Sequence, residues 1–418
     1  MVNVTKKWRT LKWKIKSKAV NYRYGFPAKK LKIIGITGTN GKTTVATLLY
    51  KTTTALGYKV GLISTVENII GEKVIPHDEK SPGTTPDSIS LTKLFDQMVK
   101  EGCIYVFMEV SSHAADQRRV AGIKFTGGIF TNLTQDHLDY HKSMEKYFLA
   151  KKKFFNFLPK NAFALSNIDD PYGEKMLDGI KAKKYTYGFK NVANFNEKIK
   201  TKLLGEFNAY NVLVVYATTV LLGLDKIKVK EIIKNLEPVA GRFNHFKSES
   251  GITGIVDFAH TPDALLNVLK TIQNISAEAR LSQKSKIITL FGCGGDRDTS
   301  KRPLMAKIVY DNSDITIATS DNSRSEDIQN IFSDMKKGLP ISQGQSLRKE
   351  IYFIEKRDEA IKKACELAKS GDIILLAGKG HEQYQEIKGV KYPFNDMEEL
   401  KKYLPARNAS SIADAGGK

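Results

Sequence analysis

The chain has 418 residues, 41 % of them hydrophobic, enough for two or three domains with real cores. Lys and Arg number 66 against 45 Asp and Glu, and the formal net charge of +21 favours anionic partners such as nucleotides, nucleic acid or a membrane surface. No run reaches the ~18 apolar residues of a membrane span, and no stretch has the layout of a secretory signal. Cys103, Cys293 and Cys365 lie far apart without metal spacing, so the expectation is a cytoplasmic chain with reduced thiols.

Residues 1–32 contain eleven Lys or Arg and no Asp or Glu, with Trp8, Leu11, Trp13 and Ile15 interleaved. They read as a basic N-terminal arm. A solvated arm or a short packed helix is one reading; phosphate binding or peripheral membrane contact through residues 1–32 is the other. Lys32 to Ile36 is a β-branched run leading into glycines. Helical patterns follow at Thr43 to Leu56 and Ser88 to Lys100. Ile104 to Val110 is a second apolar run containing an acidic residue near its end, and Gly127 to Thr131 is a third. Strand, loop, helix, strand in this order implies a mostly parallel sheet with helices on both faces.

The pattern restarts downstream. Ile252 to Phe258, Ser285 to Phe291, Ile315 to Thr319 and Asp372 to Ala377 are strand-like, separated by helices such as Pro262 to Ile272 and Lys356 to Ala368. A boundary near Pro238 to Gly241 is expected, giving one α/β domain over 33–240 and a C-terminal Rossmann-like α/β domain over 241–405. Residues 406–418 are small and polar and read as a disordered tail. No internal repeat is present.

Residues 35–44 read Gly-Ile-Thr-Gly-Thr-Asn-Gly-Lys-Thr-Thr, after an apolar strand and before a helix. This is the context of a phosphate loop. Glycines let the backbone curl so that successive N–H groups face phosphates, and the following helix adds its positive end. Lys42 can reach β- and γ-phosphates, and the Thr43 hydroxyl can bind Mg²⁺. The general nucleotide pattern puts a glycine where Ile36 stands; here glycines fall at 35, 38 and 41. The first domain is therefore read as a central ATP-binding P-loop domain, though the loop alone names no reaction.

A longer set of blocks does. Gly-Thr-Asn-Gly-Lys-Thr-Thr (38–44), Thr-Thr-Pro (84–86), Met-Glu-Val-Ser-Ser-His (108–113) and Asn-Leu-Thr-Gln-Asp-His-Leu-Asp-Tyr-His (132–141) come first. Asp-Phe-Ala-His-Thr-Pro-Asp (257–263), Gly-Cys-Gly-Gly-Asp-Arg-Asp (292–298), Asp-Asn-Ser-Arg (321–324) and Gly-Lys-Gly-His-Glu (378–382) complete it. In this order, over about residues 33–400, the set resembles the Mur ligases, specifically the MurE type. That resemblance implies an ATP-dependent acid–amino-acid ligase. It would add an amino acid to UDP-N-acetylmuramoyl-L-alanyl-D-glutamate through an acyl phosphate, in peptidoglycan biosynthesis, with ATP and Mg²⁺. Small-molecule substrates, no nucleic acid and a monomer are expected.

The resemblance carries over residue by residue. Glu109 and His137 match the family's Mg²⁺-holding Glu and His, and Glu109 at a strand end is also a usual place for a hard-metal ligand. Lys151, in Ala150-Lys151, matches the lysine that CO₂ converts to a carbamate, so the metal set is Thr43, Glu109, His137 and Lys151. Lys152 and Lys153 adjoin it, and the position could be off by one. With Gly38, Thr39, Asn40, Gly41, Lys42, Thr43 and Thr44, the nucleotide set takes in Asn208, Asn211, Arg242 and His260. Asn208 and Asn211 could instead be plain helix caps, and Asp257 and Asp263 could orient His260.

Thr84, Thr85, Ser111, Gln117 and Arg119 match acceptor contacts; Arg119 suits an anion through its planar fork. Arg297, Asp321, Asn322, Arg324, Gly378 and Glu382 match amino-acid contacts, and a carboxylate such as Glu382 would pair with an ammonium. In the family, Asp-Asn-Pro-Arg goes with meso-diaminopimelate. Here Arg324 is kept and Ser323 replaces the proline, so diaminopimelate is expected ahead of L-lysine.

The family usually carries an N-terminal UDP-binding domain of roughly a hundred residues, whereas here the phosphate loop begins about 35 residues in. This leaves open a MurE-like ligase acting on a non-UDP or pseudomurein acceptor. A folylpolyglutamate synthase-like ligase is a second alternative. A basic nucleotide-binding module for membrane or nucleic acid is the non-enzyme alternative.

Overall fold

The computed structural model describes residues 19–78, 81, 83–279, 285–340 and 349–404. Trp8, Leu11, Trp13 and Ile15 of the basic arm, and residues 406–418, lie outside them. The described residues form two compact units. One comprises residues up to Thr134, Ser143–Leu203 and Phe207–Glu237; the other comprises Gln135–Lys142, Leu204–Glu206 and the chain from Pro238 onward. Two short segments inside the span 33–240 thus cluster with the second unit.

The first unit is built on an eight-stranded sheet. Its strands are β1 (Lys32–Thr37), β2 (Val60–Ile63), β3 (Asn68–Ile70), β4 (Lys73–Ile75), β5 (Tyr105–Glu109), β6 (Phe125–Phe130), β7 (Phe163–Asn167) and β8 (Lys183–Tyr187), in the spatial order 4-3-2-5-1-6-7-8. Strands 2, 5, 1, 6, 7 and 8 run parallel; β3 and β4 fold back antiparallel at one edge. The flanking helices, in chain order, are α1 (Lys42–Ala55), α2 (Ser88–Lys100), α3 (Ser112–Asp116), α4 (Leu138–His141), α5 (Met144–Asn156), α6 (Gly173–Leu177), α7 (Glu206–Leu221) and α8 (Lys226–Lys234); α4 falls in the second unit.

All of β1 after Lys32 is buried, as strands covered on both faces must be. The chain leaves β1 for β2 on one side and later fills β6 on the other. The carboxyl end of β1 is therefore the switch point of the sheet, where open α/β folds bind ligands. Not all of 1–32 is a free arm. Pro27–Lys30 makes a short 3₁₀ turn, Ala28 and Leu31 are buried in the first core, and Lys32 is already the first residue of β1.

The second unit repeats the theme. Its sheet contains β9 (Asn244–Lys247), β10 (Thr253–Asp257), β11 (Ile287–Cys293), β12 (Ile315–Ser320), β13 (Glu350–Ile354) and β14 (Ile373–Ala377), ordered 13-12-11-14-10-9, and a separate hairpin joins β15 (Tyr384–Ile387) to β16 (Val390–Pro393). All pairings in the larger sheet are parallel except β9 with β10. Helices α9 (Pro262–Ala279), α10 (Lys301–Asn312), α11 (Ile328–Lys336), α12 (Arg357–Leu367) and α13 (Asp396–Tyr403) cover it. The apolar run around Pro262 extends seven residues past the expected Ile272, because Val268, Leu269 and Ile272 keep one face buried and Ser276 continues it. No described helix is long and apolar enough to cross a membrane.

One polar knot fixes the segment after β8. The Asp169 carboxylate accepts from the backbone N–H groups of Phe189, Lys190 and Asn191 and from the Tyr210 hydroxyl at 2.6 to 3.0 Å. Burial works to raise its pKa, but these donors outweigh it and bring it down to about 2. A carboxylate depressed on folding contributes stability above its unfolded pKa, and that stability is lost as pH falls through the folded value. We therefore expect Asp169→Asn to be less stable than wild type at pH 7. The gap should close between about pH 4 and pH 2, as read from urea midpoints across that range.

Candidate active site

The phosphate loop turns off the end of β1 through two glycines in conformations that suit no other residue: Gly38 has φ +152° and Gly41 has φ +84°. A Cβ on Gly38 would stand 1.8 Å from Thr131 Oγ1, and one on Gly41 would stand 2.7 Å from Asn211 Oδ1. Gly41 is the N-cap of α1, so the amino end of that helix opens on the loop. The chain after β6 braces the loop. Thr39 N–H donates to the Asn132 carbonyl at 2.8 Å, Asn40 N–H to Asn132 Oδ1 at 2.9 Å, and Thr131 Oγ1 to the Asn40 carbonyl at 2.7 Å. Thr43 and Thr44 are buried in the first turn of α1. Gly35 serves packing: a Cβ there would meet the Phe154 ring at 2.6 Å.

Two lysines turn onto this loop. Lys42 Nζ donates to the carbonyls of Gly38 at 3.0 Å and Thr39 at 2.7 Å. Lys151 Nζ, on α5 and only 1 % exposed, donates to the same Gly38 carbonyl at 2.6 Å. Its neighbours go elsewhere. Lys152 reaches the carbonyls of Lys175, Met176 and Asp178, and Lys153 pairs with Asp116. The three-lysine run thus separates into one buried amine at the loop and two on other surfaces. Tyr147, one turn before Lys151, was not singled out by sequence. Its ring centroid lies 4.4 Å from Lys151 Nζ and its hydroxyl 3.3 Å from Thr39 Oγ1.

Glu109 ends β5, in register with Ile36 of β1. Its side chain is fully buried, with Oε1 accepting from Thr65 N–H at 2.7 Å. Thr65 Oγ1 lies 3.1 Å from both Glu109 Oε2 and Thr84 Oγ1. The residues expected from the sequence to contact the acceptor continue from there. Thr85 Oγ1 donates to the Glu109 carbonyl at 2.9 Å and accepts from Ser111 N–H at 3.0 Å. Arg119 Nη1 donates to the Thr85 carbonyl at 2.8 Å, and Arg119 Nε to Gln117 Oε1 at 2.9 Å. Ser111 also caps α3 by accepting from Ala114 N–H. The structure thus brings Thr84, Thr85, Ser111, Gln117 and Arg119 into one patch beside Glu109. Asn208 and Asn211 are buried inside α7, one turn apart and hydrogen-bonded at 3.1 Å, so they are not its caps.

His137 falls in the second unit, at the start of α4 with φ +56°. Its neighbour Asp136 is the hub of that corner. The Asp136 carboxylate lies 3.0 Å from Lys301 Nζ, 3.5 Å from His137 Nε2 and 3.6 Å from His260 Nε2. Burial opposes its charge, but Lys301, His137 and His260 hold it well below the usual carboxylate range. His260 is therefore faced by Asp136. Asp257 is also close enough to feel the His260 charge, and it accepts from Phe243 N–H and Ala259 N–H, tying down the chain on both sides of β10. The Arg242 guanidinium lies 4.5 Å from the Phe258 ring centroid, and the His260 ring packs edge-on against that ring.

The residues expected from the sequence to contact the amino acid sit on loops that follow β11, β12 and β14. Asp321 and Asn322 are buried; Arg324 has φ +51° and donates from Nη1 to the Gly295 carbonyl at 2.7 Å. Asn322 Nδ2 donates to Glu382 Oε2 at 2.8 Å, and Gly378 N–H donates to the Asp257 carbonyl. Arg297 is exposed. Sequence reading missed the buried cations behind these loops. Arg302 makes two 2.6 Å bonds to Glu326 and one of 3.0 Å to Asp334, and Arg357 pairs with Asp396 through two 2.7 Å bonds. Nothing in the sequence set them apart: Arg302 follows Lys301, and Arg357 stands between Lys356 and Asp358-Glu359, each at a charged helix start. Among the described residues no three His, Cys, Asp or Glu side chains converge at metal-binding distance.

Family comparison gives this arrangement its context. Residues 36–219 match the Mur ligase middle domain, and residues 241–380 match the Mur ligase glutamate ligase domain. The chain belongs to the Mur ligase family. As a Mur ligase it is an ATP-dependent ligase, and Mur ligases use ATP and Mg²⁺. It is 52 % identical over 398 residues to a UDP-N-acetylmuramoyl-L-alanyl-D-glutamate–2,6-diaminopimelate ligase of Cytophaga hutchinsonii, covering 91 % of this chain and 79 % of the relative. A Bacteroides fragilis protein of the same name is 50 % identical over 401 residues, covering 92 % and 80 %. A solved structure of a diaminopimelate ligase of that name matches at 33 % identity and a TM-score of 0.57, covering 89 % of this chain and 78 % of the other. A Mycobacterium tuberculosis folylpolyglutamate synthase complexed with ADP and AMPPCP has a TM-score of 0.68 but 16 % identity, covering 88 % and 92 %, a likeness of fold alone.

The loop geometry predicts the outcome of one substitution. Gly38→Ala forces a Cβ into Thr131 Oγ1 at the point where the loop leaves β1. ATP affinity should fall at least about tenfold while far-ultraviolet circular dichroism stays that of wild type. Titration with a fluorescent ATP analogue reads the change, and an unchanged Kd would contradict it.

Proposed function

We propose that this Mur ligase joins meso-diaminopimelate to UDP-N-acetylmuramoyl-L-alanyl-D-glutamate through an acyl phosphate, in peptidoglycan biosynthesis and in a cytoplasmic setting. One observation carries the reading: a glycine-built phosphate loop with Lys151 on its carbonyl and Glu109 on the adjacent strand, in a chain 50–52 % identical to ligases of that name. Meso-diaminopimelate is favoured over L-lysine because Arg324 offers a cation for a far carboxylate, and because those relatives are named for 2,6-diaminopimelate. The share of each relative covered is 79–80 %.

Forming an amide from a carboxylate and an amine is uphill in water, so the carboxylate must be activated. The acceptor carboxylate attacks the γ-phosphorus of ATP and ADP leaves. The amine then attacks the acyl carbon and phosphate leaves. The loop of residues 38–44 would hold the phosphates chiefly through the N–H groups at the amino end of α1, since the Thr39 and Asn40 N–H groups bond to Asn132, with Lys42 moving from the Gly38 and Thr39 carbonyls onto them. Asn208, Asn211, Arg242 and His260 are assigned to the rest of the nucleotide. Thr84, Thr85, Ser111, Gln117 and Arg119 would bind the acceptor, and Arg297, Asp321, Asn322, Arg324, Gly378 and Glu382 the amino acid.

Thr43, Glu109, His137 and Lys151 are the proposed holders of Mg²⁺. The fit is reasonable for a hard cation. Glu109 presents a buried carboxylate that accepts from the Thr65 N–H and hydroxyl, and Mg²⁺ usually takes one or two carboxylates with substrate phosphates rather than a full protein cage. When bound, the metal supplies charge neutralisation during phosphoryl transfer. Lys151 is the proposed carbamate site. A carbamate retains one N–H on that nitrogen, so the bond to Gly38 is chemically compatible with the modification.

Incubating the protein with ATP, diaminopimelate and UDP-muramoyl-dipeptide should yield the tripeptide product and ADP, read by mass spectrometry; no product with any acceptor or amine in a panel would sink the proposal. Lys151→Met should lower kcat by roughly a hundredfold or more, while Lys152→Met stays within about threefold of wild type. The reverse pattern would move the assignment by one residue.

A further inference from the structure

Behind the amino-acid loops lies a cation that the ligase reading does not use. Lys379 is 0 % exposed. Its Nζ donates to Asn322 Oδ1 at 3.1 Å and to Glu382 Oε2 at 3.0 Å, and lies 4.0 Å from Asp321 Oδ1. Asn322 Nδ2 reaches the same Glu382 oxygen at 2.8 Å. The carboxylate proposed to meet a substrate ammonium is thus already held by a buried ammonium of the protein. Arg324 lies on the same pair of loops, 3.9 Å from Glu386, and its main-chain N–H and C=O bond to Glu386 and Lys388. Burial pushes Asp321 towards the neutral form, but Lys379 and Arg357 outweigh it and keep it charged.

Arg357 is paired with Asp396, so Lys379, bonded to Glu382 itself, is the nearer of the two cations that decide how negative the neighbourhood of Arg324 is. The two amines considered for this site differ in this respect. The far end of diaminopimelate carries an ammonium and a carboxylate on one carbon and is neutral overall. The far end of lysine carries a lone ammonium. Removing a buried cation beside Asp321 and Glu382 attracts the lone ammonium and penalises the carboxylate.

We propose that Lys379 is a specificity-determining positioning residue, whose buried ammonium offsets Asp321 and Glu382 and so biases the amino-acid site towards a zwitterionic far end. This rests on the ligase reading above. It adds a second element to the selectivity attributed to Arg324, one that never touches the substrate.

The test measures kcat/KM for diaminopimelate and for L-lysine with wild type, Lys379→Met, Lys379→Arg and Glu382→Gln, with circular dichroism of each. Lys379→Met should raise the lysine-to-diaminopimelate ratio by about tenfold, carried mainly by KM, and Lys379→Arg should restore the wild-type ratio. Glu382→Gln removes a negative charge instead and should move the ratio the other way, which carries the test if Lys379→Met does not fold. Wild-type turnover with a ratio unchanged in Lys379→Met, or in Glu382→Gln when the former is unfolded, overturns the role of Lys379 alone. A wild type that turns over neither amine overturns the ligase reading itself.

Discussion

The Gly38 carbonyl is the point on which the first unit depends. Lys42 and Lys151 both donate to it, from 3.0 and 2.6 Å. One lysine comes from the helix that follows the loop, the other from a helix more than a hundred residues later. Gly38 holds φ +152°, and any side chain there would run into Thr131, so the turn that presents this carbonyl needs glycine. The rest of the loop is held by residues 131–134, so the end of β6 and the loop after β1 form one rigid edge. That bracing fixes where α1 begins, so the positive end of its dipole is held in one place at the loop.

Packing places the second lysine. Phe154 fills the space over Gly35 and Gly128, and this sets the position of α5 against the sheet. Lys151, three residues earlier, then lies beneath the loop, and Tyr147, a further turn back, reaches Thr39. Helical spacing of three and four residues makes these one face. Lys152 and Lys153 leave that face and meet carbonyl and carboxylate groups elsewhere.

The second unit meets its own constraint with buried ion pairs. Arg357 with Asp396, and Arg302 with Glu326 and Asp334, tie α12 to α13 and α10 to the loop after β12 and to α11. Taking such charges out of water costs several kcal/mol per ion, which well-formed bidentate bonds offset only in part. What they secure is geometry. The loops after β11, β12 and β14 carry Arg297, Asp321, Asn322, Arg324, Gly378 and Glu382, and each loop is bonded to a neighbour through these cations or through Lys379.

The alternation of strands and helices, the two parallel sheets and the phosphate loop were legible in the sequence. Each rests on a local period or a short motif: β-branched runs for β1 and β12, Gly-Thr-Asn-Gly-Lys-Thr-Thr for the loop, an apolar run closing on Glu109 for β5. Strand and helix ends moved by one or two residues, because the last hydrogen bond of an element depends on its neighbour and not on its own residues. The far end of α9 lay seven residues further on, because Ser276, a polar residue, continues the buried face beyond Ile272.

What only the tertiary structure decided was which side chains share a place. Composition could not choose among three adjacent lysines; the packing of α5 did. Spacing pointed to Asp257 and Asp263 beside His260, but not to Asp136, more than a hundred residues earlier, whose carboxylate also faces it. A buried charge such as Lys379 or Arg357 looks in sequence like any surface charge. Its meaning lies in partners brought together by chain crossings that no local pattern records.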